Sequence, residues 1–155
     1  MAAPSGGARV AALPNCTAGQ LRLGGYLSGA TQSLLGTLTL TNRSEHACHL
    51  PAAPRRVSVT LGRQVLPTLT LRMLVLRERR AGTPTRTLPG HARVNVLVQW
   101  RNWCGSPRGA VHVTLVLTIF RAVTPRLKLG LVTTPICVDA KFSSTVAVSR
   151  FLRGQ

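Results

Sequence analysis

An all-β fold built as packed antiparallel sheets is what this sequence predicts, and three observations carry that expectation. Short runs alternate apolar and polar residues at a period of two, which places successive side chains on opposite faces of a strand. Turn residues punctuate these runs, and no apolar stripe at helical spacing is long enough to compete. Four cysteines, Cys16, Cys48, Cys104 and Cys137, stand beside turn-type residues rather than in tight metal-type pairs, which suits two disulfides.

From Gln20 onward the pattern is strand, turn, strand. The run Leu34 to Thr41 puts Leu38 and Leu40 on one face and Thr37, Thr39 and Thr41 on the other, as in a half-buried strand. Val57, Val59 and Leu61 repeat that pattern. The stretch Leu69 to Leu76 is apolar on both faces and reads as a covered central strand, with Arg72 breaking its second face and Arg77, Arg79 and Arg80 at its end. Pro84 to Pro89, flanked by Gly82 and Gly90, is a turn-rich connection.

The cleanest alternation runs from Arg93 to Arg101, with Val94, Val96, Val98 and Trp100 inward and Arg93, Asn95, Gln99 and Arg101 outward; Leu97 is the exception. Val111, Val113, Leu115, Leu117 and Ile119 form a second inward row against His112, Thr114 and Thr118. The two rows are expected to pair as a hairpin across Asn102 to Gly109, a loop carrying Gly105, Pro107 and Gly109. A last strand holds Val146 and Val148 and finishes near Phe151. About seven such strands in two antiparallel layers describe an immunoglobulin-like β-sandwich. With no internal repeats, the economical division is a flexible lead-in over residues 1–14 and a single β-sandwich domain over residues 15–155, with helices limited to single turns.

The 155 residues are 45% hydrophobic but only 4% aromatic, so Leu, Val and Ala must fill the interior. Charge is extreme: 20 Lys and Arg against three acids, Glu45, Glu78 and Asp139, give +17. Such a surface attracts nucleic acid, anionic lipid head groups or acidic envelope polymers, with strong salt dependence. The basic residues are nearly all Arg, Lys occurring only at 128 and 141, and they are scattered from Arg9 to Arg153. That distribution also fits a solvated surface shaped by GC-rich codon usage. No run approaches the roughly 18 to 20 apolar residues of a membrane-spanning helix. Met1 to Pro14 has no apolar core of the signal-peptide kind, so an export segment is expected outside this sequence.

Four cysteines allow three pairings. Cys16 with Cys48 and Cys104 with Cys137 is preferred, because each bond then closes a loop of just over thirty residues within one half of the chain. Each would stabilise the fold by roughly 3 to 4 kcal/mol on the chain-entropy model. An immunoglobulin-type bond joining the sheets beside a buried Trp is the alternative, and Trp100 and Trp103 keep it open. No metal site is expected: His46, Cys48 and His49 are too close along a strand to converge on one ion, and no C-x-x-C spacing occurs.

Catalysis is not expected either, and no cofactor is implied. Three widely spaced acids supply neither a hydrolase triad nor a carboxylate pair, and no phosphate loop or nucleophile elbow is present. Glu45 and Glu78 read as surface counter-ions to neighbouring arginines, and Asp139 as a turn cap. The string Trp100-Arg101-Asn102-Trp103-Cys104 could form a stacking platform if both rings faced solvent. Alternation places Trp100 in the core, and Trp103 reads as a cover for the adjacent disulfide. Asn15-Cys16-Thr17 and Asn42-Arg43-Ser44 match the glycosylation acceptor pattern, although Asn42 reads as the residue ending its strand.

Several strings, taken in order, carry a family resemblance: the early Cys16, then Thr41-Asn42-Arg43-Ser44, Cys48-His49-Leu50, Pro54 before Val57 to Leu61, Leu88-Pro89-Gly90 leading into a strand, and Trp100 to Cys104 followed by Cys137. Together they span nearly the whole chain. The sequence resembles the bacterial domain of unknown function 4232 family, found in exported and lipid-anchored proteins of high-GC bacteria. The resemblance implies an immunoglobulin-like sandwich and a first disulfide joining Cys16 to Cys48, and it implies no catalytic residues.

The functional expectation is a non-enzymatic, exported bacterial domain acting outside the cell or at its envelope as a binding or accessory module. Its candidate binding residues are Arg72, Arg77, Arg79, Arg80, Arg93, Arg101 and Trp103, meeting an anionic envelope polymer or lipid head groups. The alternative is a nucleic-acid or polyanion binder using the same charges with an exposed Trp103.

Overall fold

Alternating rows of Val and Leu, with one side of each strand apolar, can be buried only against a second such layer, and two sheets facing each other are the result. A computed structural model of the chain describes residues 12–154. The expected lead-in over residues 1–14 therefore lies largely outside the described residues. Its last residue, Pro14, is held in the fold, its carbonyl accepting the His49 N–H at 2.8 Å.

A single 3-10 turn at Ala18–Gln20 leads into β1 (Leu21–Ala30) and β2 (Ser33–Asn42). Then come β3 (Cys48–His49), β4 (Arg56–Leu61), β5 (Gln64–Val65), β6 (Thr68–Arg72) and a short helix α1 (Val75–Ala81). The remaining strands are β7 (Thr83–Pro84), β8 (Thr87–Leu88), β9 (Arg93–Arg101), β10 (Ala110–Thr118), β11 (Arg126–Thr133), β12 (Ser144–Val148) and β13 (Leu152–Arg153). The larger sheet runs β1-β2-β9-β12-β6, with β13 and β7 attached beside β9; the smaller runs β11-β10-β4-β5; β3 and β8 form a separate ribbon. All pairs are antiparallel except β12 with β6.

The two layers share one buried cluster. Leu38 and Leu40 of β2, Val94, Val96, Val98 and Trp100 of β9 and Val146 and Val148 of β12 pack with Val57 and Val59 of β4 and with Val113, Leu115 and Leu117 of β10. Full burial of a Val or Leu side chain contributes about 1.5 to 3 kcal/mol, so these rows supply most of the driving force. In β10 and β11 the register slips between Val113 and Thr114, opposite Gly130 and Lys128. Gly130 has a φ of 75°, a left-handed conformation that glycine adopts without steric cost, which is what this bulge requires.

Both disulfides follow the preferred pairing, Cys16–Cys48 with Cα atoms 4.8 Å apart and Cys104–Cys137 at 4.6 Å. An asparagine organises the chain beside each, the buried Asn42 at the end of β2 and the half-buried Asn102 just beyond β9. Asn42 Nδ2 donates to the carbonyls of His46, Leu88 and Pro89 at 2.8, 3.2 and 3.2 Å, while its Oδ1 accepts from Ser44. Asn102 Nδ2 donates to the carbonyls of Asp139 and Phe142, and its Oδ1 accepts the N–H groups of Val138 and Asp139. Asn42 therefore does end its strand, with its side-chain amide buried and hydrogen-bonded.

Several sequence expectations are corrected. The rows in β9 and β10 do not form a hairpin: β9 pairs with β2, β12 and β13 in the larger sheet, and β10 with β11 and β4 in the smaller. Residues 102–109 thus carry the chain from one layer to the other. Leu69 to Leu76 is not a covered central strand. It divides into the edge strand β6 and the start of α1, and its leucines face solvent. Arg77, Arg79 and Arg80 lie on α1, a two-turn helix, rather than at a strand end. Glu78 is no surface counter-ion; it is buried against Arg150. Asp139 does cap a turn, its Oδ1 accepting the Lys141 N–H at 2.9 Å.

Candidate binding face

Strand alternation gives the larger sheet one face toward the core and one away from it, and the arginines of β9 stand on the outer one. Register aligns Arg101 with Ser33 on β2 and Thr145 on β12, and Arg93 with Thr41, which in turn faces Arg22 of β1. Arg22 and Arg93 thus flank Thr41 two strands apart, a spacing of about 10 Å. Arg93 and Arg101 mark opposite ends of the same face, about 26 Å apart at the usual rise of a strand.

The outer face is only partly open. Helix α1 lies over it and drops Arg77 onto Gln99, Nη1 donating to Oε1 at 2.9 Å. Gln99 Nε2 donates in turn to the Ser33 hydroxyl at 3.2 Å. This chain of bonds explains why Gln99, expected to point outward, does so and is nevertheless buried. Charge-assisted bonding to the amide holds the Arg77 guanidinium in one place on the sheet.

Three adjoining hollows form a groove across this face. One of about 290 Å³ lies between Tyr26, Leu35, Met73, Arg77 and Leu97. The next, about 140 Å³, is bounded by Arg72, Met73, Leu74, Arg77, Gln99 and Arg101. The third, about 350 Å³, is lined by Arg101, Asn102, Val138, Asp139, Phe142 and Thr145 among others, so one carboxylate stands at that end. Met73 and Arg77 border the first two and Arg101 the last two, so cationic side chains sit where the hollows meet. Apolar walls with the Arg77 guanidinium held in place and Arg101 beside it suit a ligand that is anionic at points and apolar between them.

Of the candidate residues, the structure brings Arg72, Arg77 and Arg101 together. Arg72 also reaches back across the layer, with Nη1 3.5 Å from the Pro54 carbonyl. Arg93 shares the face but lies at its far end. Arg79 and Arg80 are exposed on α1 and line none of the three hollows. Trp103 is buried: it packs against Trp100 at a centroid distance of 6.4 Å, donates its Nε1–H to the Pro107 carbonyl at 2.8 Å, and leaves no ring face for stacking. The stacking platform is thereby corrected to a core aromatic pair.

Sequence reasoning missed Arg22 and the groove itself. Arg22 was legible as an outward residue once β1 is recognised, since Leu21 and Leu23 alternate with it. The groove depends on α1 folding over β9, which no local pattern announces. All four cysteines are bonded, so none offers a thiolate to a metal or substrate. The fold and its groove define a disulfide-crosslinked all-β sandwich with a cationic outer face. Comparison with family models, curated proteins and solved structures yields no match to any of them.

Proposed function

We propose that this chain is a non-enzymatic, exported bacterial binding module that recognises an anionic component of the cell envelope through its arginine-bearing outer face. One observation carries the reading: of the 19 Lys and Arg among the described residues, Arg150 alone forms an ion pair. The charge is therefore not spent on internal pairing. It stands toward solvent as a field that attracts polyanions and concentrates them at the surface.

Export is supported by the two disulfides, which persist in oxidising compartments, and no helix among the described residues is long and apolar enough to cross a membrane. A non-catalytic role is supported by the use made of two carboxylates: Glu78 is held by Arg150 and Asp139 by a backbone amide. The place of the chain beside the family it resembles belongs to this same reading, which the Cys16–Cys48 bond supports.

The test is binding of the purified chain to heparin, to anionic lipid vesicles and to duplex DNA over a salt series. An electrostatic module loses affinity steeply, roughly tenfold or more between 50 and 200 mM salt if several contacts are made. Affinity that does not change with salt contradicts the proposal, and tightest binding to DNA moves the function to nucleic acid.

A further inference from the structure

Exposed apolar side chains scattered singly are ordinary on a protein surface, whereas a contiguous group marks a candidate interaction site. Leu69, Leu71, Leu74, Val75 and Leu76 are all exposed, five large apolar residues among eight consecutive positions, with Leu74 and Leu76 at 73% and 72%. Leu69 and Leu71 lie on the outer side of the edge strand β6, in register with Thr145 and Ala147. Leu74 lines the middle hollow of the groove together with Ala147 and Gln99, and Val75 and Leu76 open the helix that follows.

Arg79 and Arg80 are exposed on the same helix, while the Arg72 guanidinium is turned to the Pro54 carbonyl and that of Arg77 to Gln99. The single acid in the segment, Glu78, is turned inward and neutralised by Arg150. The patch consequently presents cations and hydrocarbon and no exposed carboxylate.

We propose that the β6–α1 edge is a membrane-docking element, which seats Leu74, Val75 and Leu76 in the interfacial layer of an anionic bilayer while Arg79 and Arg80 hold lipid phosphates. The inference rests on the polyanion reading above and assigns it a lipid source and a site. Burying a few leucines at the boundary between head groups and acyl chains, with basic residues at head-group level, is how interfacial segments combine apolar burial with attraction to anionic lipid. Arginine suits the rim because its stem can lie along hydrocarbon while its guanidinium pairs with phosphate.

Charge decides against the other occupants. A second copy would bring the same arginines against these, and like charges placed face to face oppose association. A nucleic acid would meet the arginines but leave the leucines wet, since the segment offers no exposed aromatic ring for bases to stack on.

The experiment is vesicle co-sedimentation of the full chain, using phosphatidylcholine vesicles and vesicles containing about one-third phosphatidylglycerol, a strongly anionic surface. Heparin affinity is measured in parallel. The native chain is expected on the anionic vesicles and largely absent from the neutral ones. The double variant Leu74→Ser, Leu76→Ser keeps every charge and should lose roughly tenfold in vesicle partitioning while heparin affinity holds. Arg79→Gln with Arg80→Gln should weaken both. Undiminished partitioning of the leucine variant, or equal binding to neutral vesicles, overturns the inference. Binding to heparin but not to anionic vesicles overturns it too while leaving the broader reading intact, whereas binding to neither removes both. Leu76→Trp supplies an independent readout: its emission should move to the blue on anionic vesicles, and an unchanged spectrum contradicts insertion at this edge.

Discussion

The Glu78 carboxylate is clamped by Arg150, 72 residues away: Oε2 accepts from Nη2 at 2.7 Å and from Nε at 2.8 Å, and Oε1 accepts the Arg150 backbone N–H at 2.8 Å. The pair ties α1 to the chain just beyond β12 and thereby fixes the helix that brings Arg77 onto the sheet. Glu78's side chain is 4% exposed and Arg150's 40%, so the acid is the partner that depends on the contact. Glu78→Ala is expected to destabilise the fold by about 1 to 3 kcal/mol, below the full cost of breaking a wholly buried pair because Arg150 regains water. Urea denaturation monitored by circular dichroism measures it, and a change within about 0.5 kcal/mol, the range of an ordinary surface substitution, contradicts the assignment.

Asn42 gives a sharper test because its amide has to donate and accept at once. Asn42→Asp replaces the Nδ2 donor to three carbonyls with an acceptor, setting oxygen against oxygen inside the protein. A loss of about 3 kcal/mol or more is expected, whereas Asn15→Asp, at an exposed position, should have little effect. Equal stability of the two variants under urea is the contrary result.

Thr68 runs the other way. Its Oγ1 is buried without a hydrogen-bond partner among the described residues, and valine has nearly the same shape. Thr68→Val should therefore be neutral or stabilising by about 1 kcal/mol, since it removes an unsatisfied polar group without opening a cavity. A clear loss of stability in a thermal melt would mean that the hydroxyl has a partner in solution.

The two tryptophans separate a core pair from a binding platform. Trp100 donates its Nε1–H to the Ser144 hydroxyl at 2.9 Å, and Gly105 lies so close to Trp103 that an added Cβ would come within 2.6 Å of its ring. Native emission should be blue-shifted, resistant to acrylamide and unchanged by heparin or an oligonucleotide. Quenching by an oligonucleotide at low salt would restore the stacking role. Gly105→Ala should displace the Trp103 ring and cost about 1 to 3 kcal/mol, the range for overpacking.

The strand rows were legible because alternation is a local property: in β9, Val94, Val96, Val98 and Trp100 needed only their own neighbours to be assigned inward. Connectivity was not. Nothing in the residues 102–109 distinguishes a hairpin from a crossing between layers, because both need the same Gly and Pro. The run Leu69 to Leu76 misled for a different reason. Apolarity there does not report burial, and a continuous hydrophobic stretch that reads as a covered strand lies on an exposed edge. Glu78 could not be placed from its neighbours either, since its partner is distant in sequence. Of the candidate site, Arg93 and Arg101 followed from alternation, while the meeting of Arg77, Arg101 and Met73 required the helix to fold over the sheet.

The scaffold that holds this face depends on which sulfurs are joined, and mass spectrometry of the non-reduced chain tests that most directly. Intact mass should rise by about four units on reduction, two for each bond, and digestion before reduction should release two linked peptide pairs, Cys16 with Cys48 and Cys104 with Cys137. Free thiols in the chain recovered from outside the cytoplasm, or a peptide joining the first pair of cysteines to the second, would contradict the crosslinked sandwich.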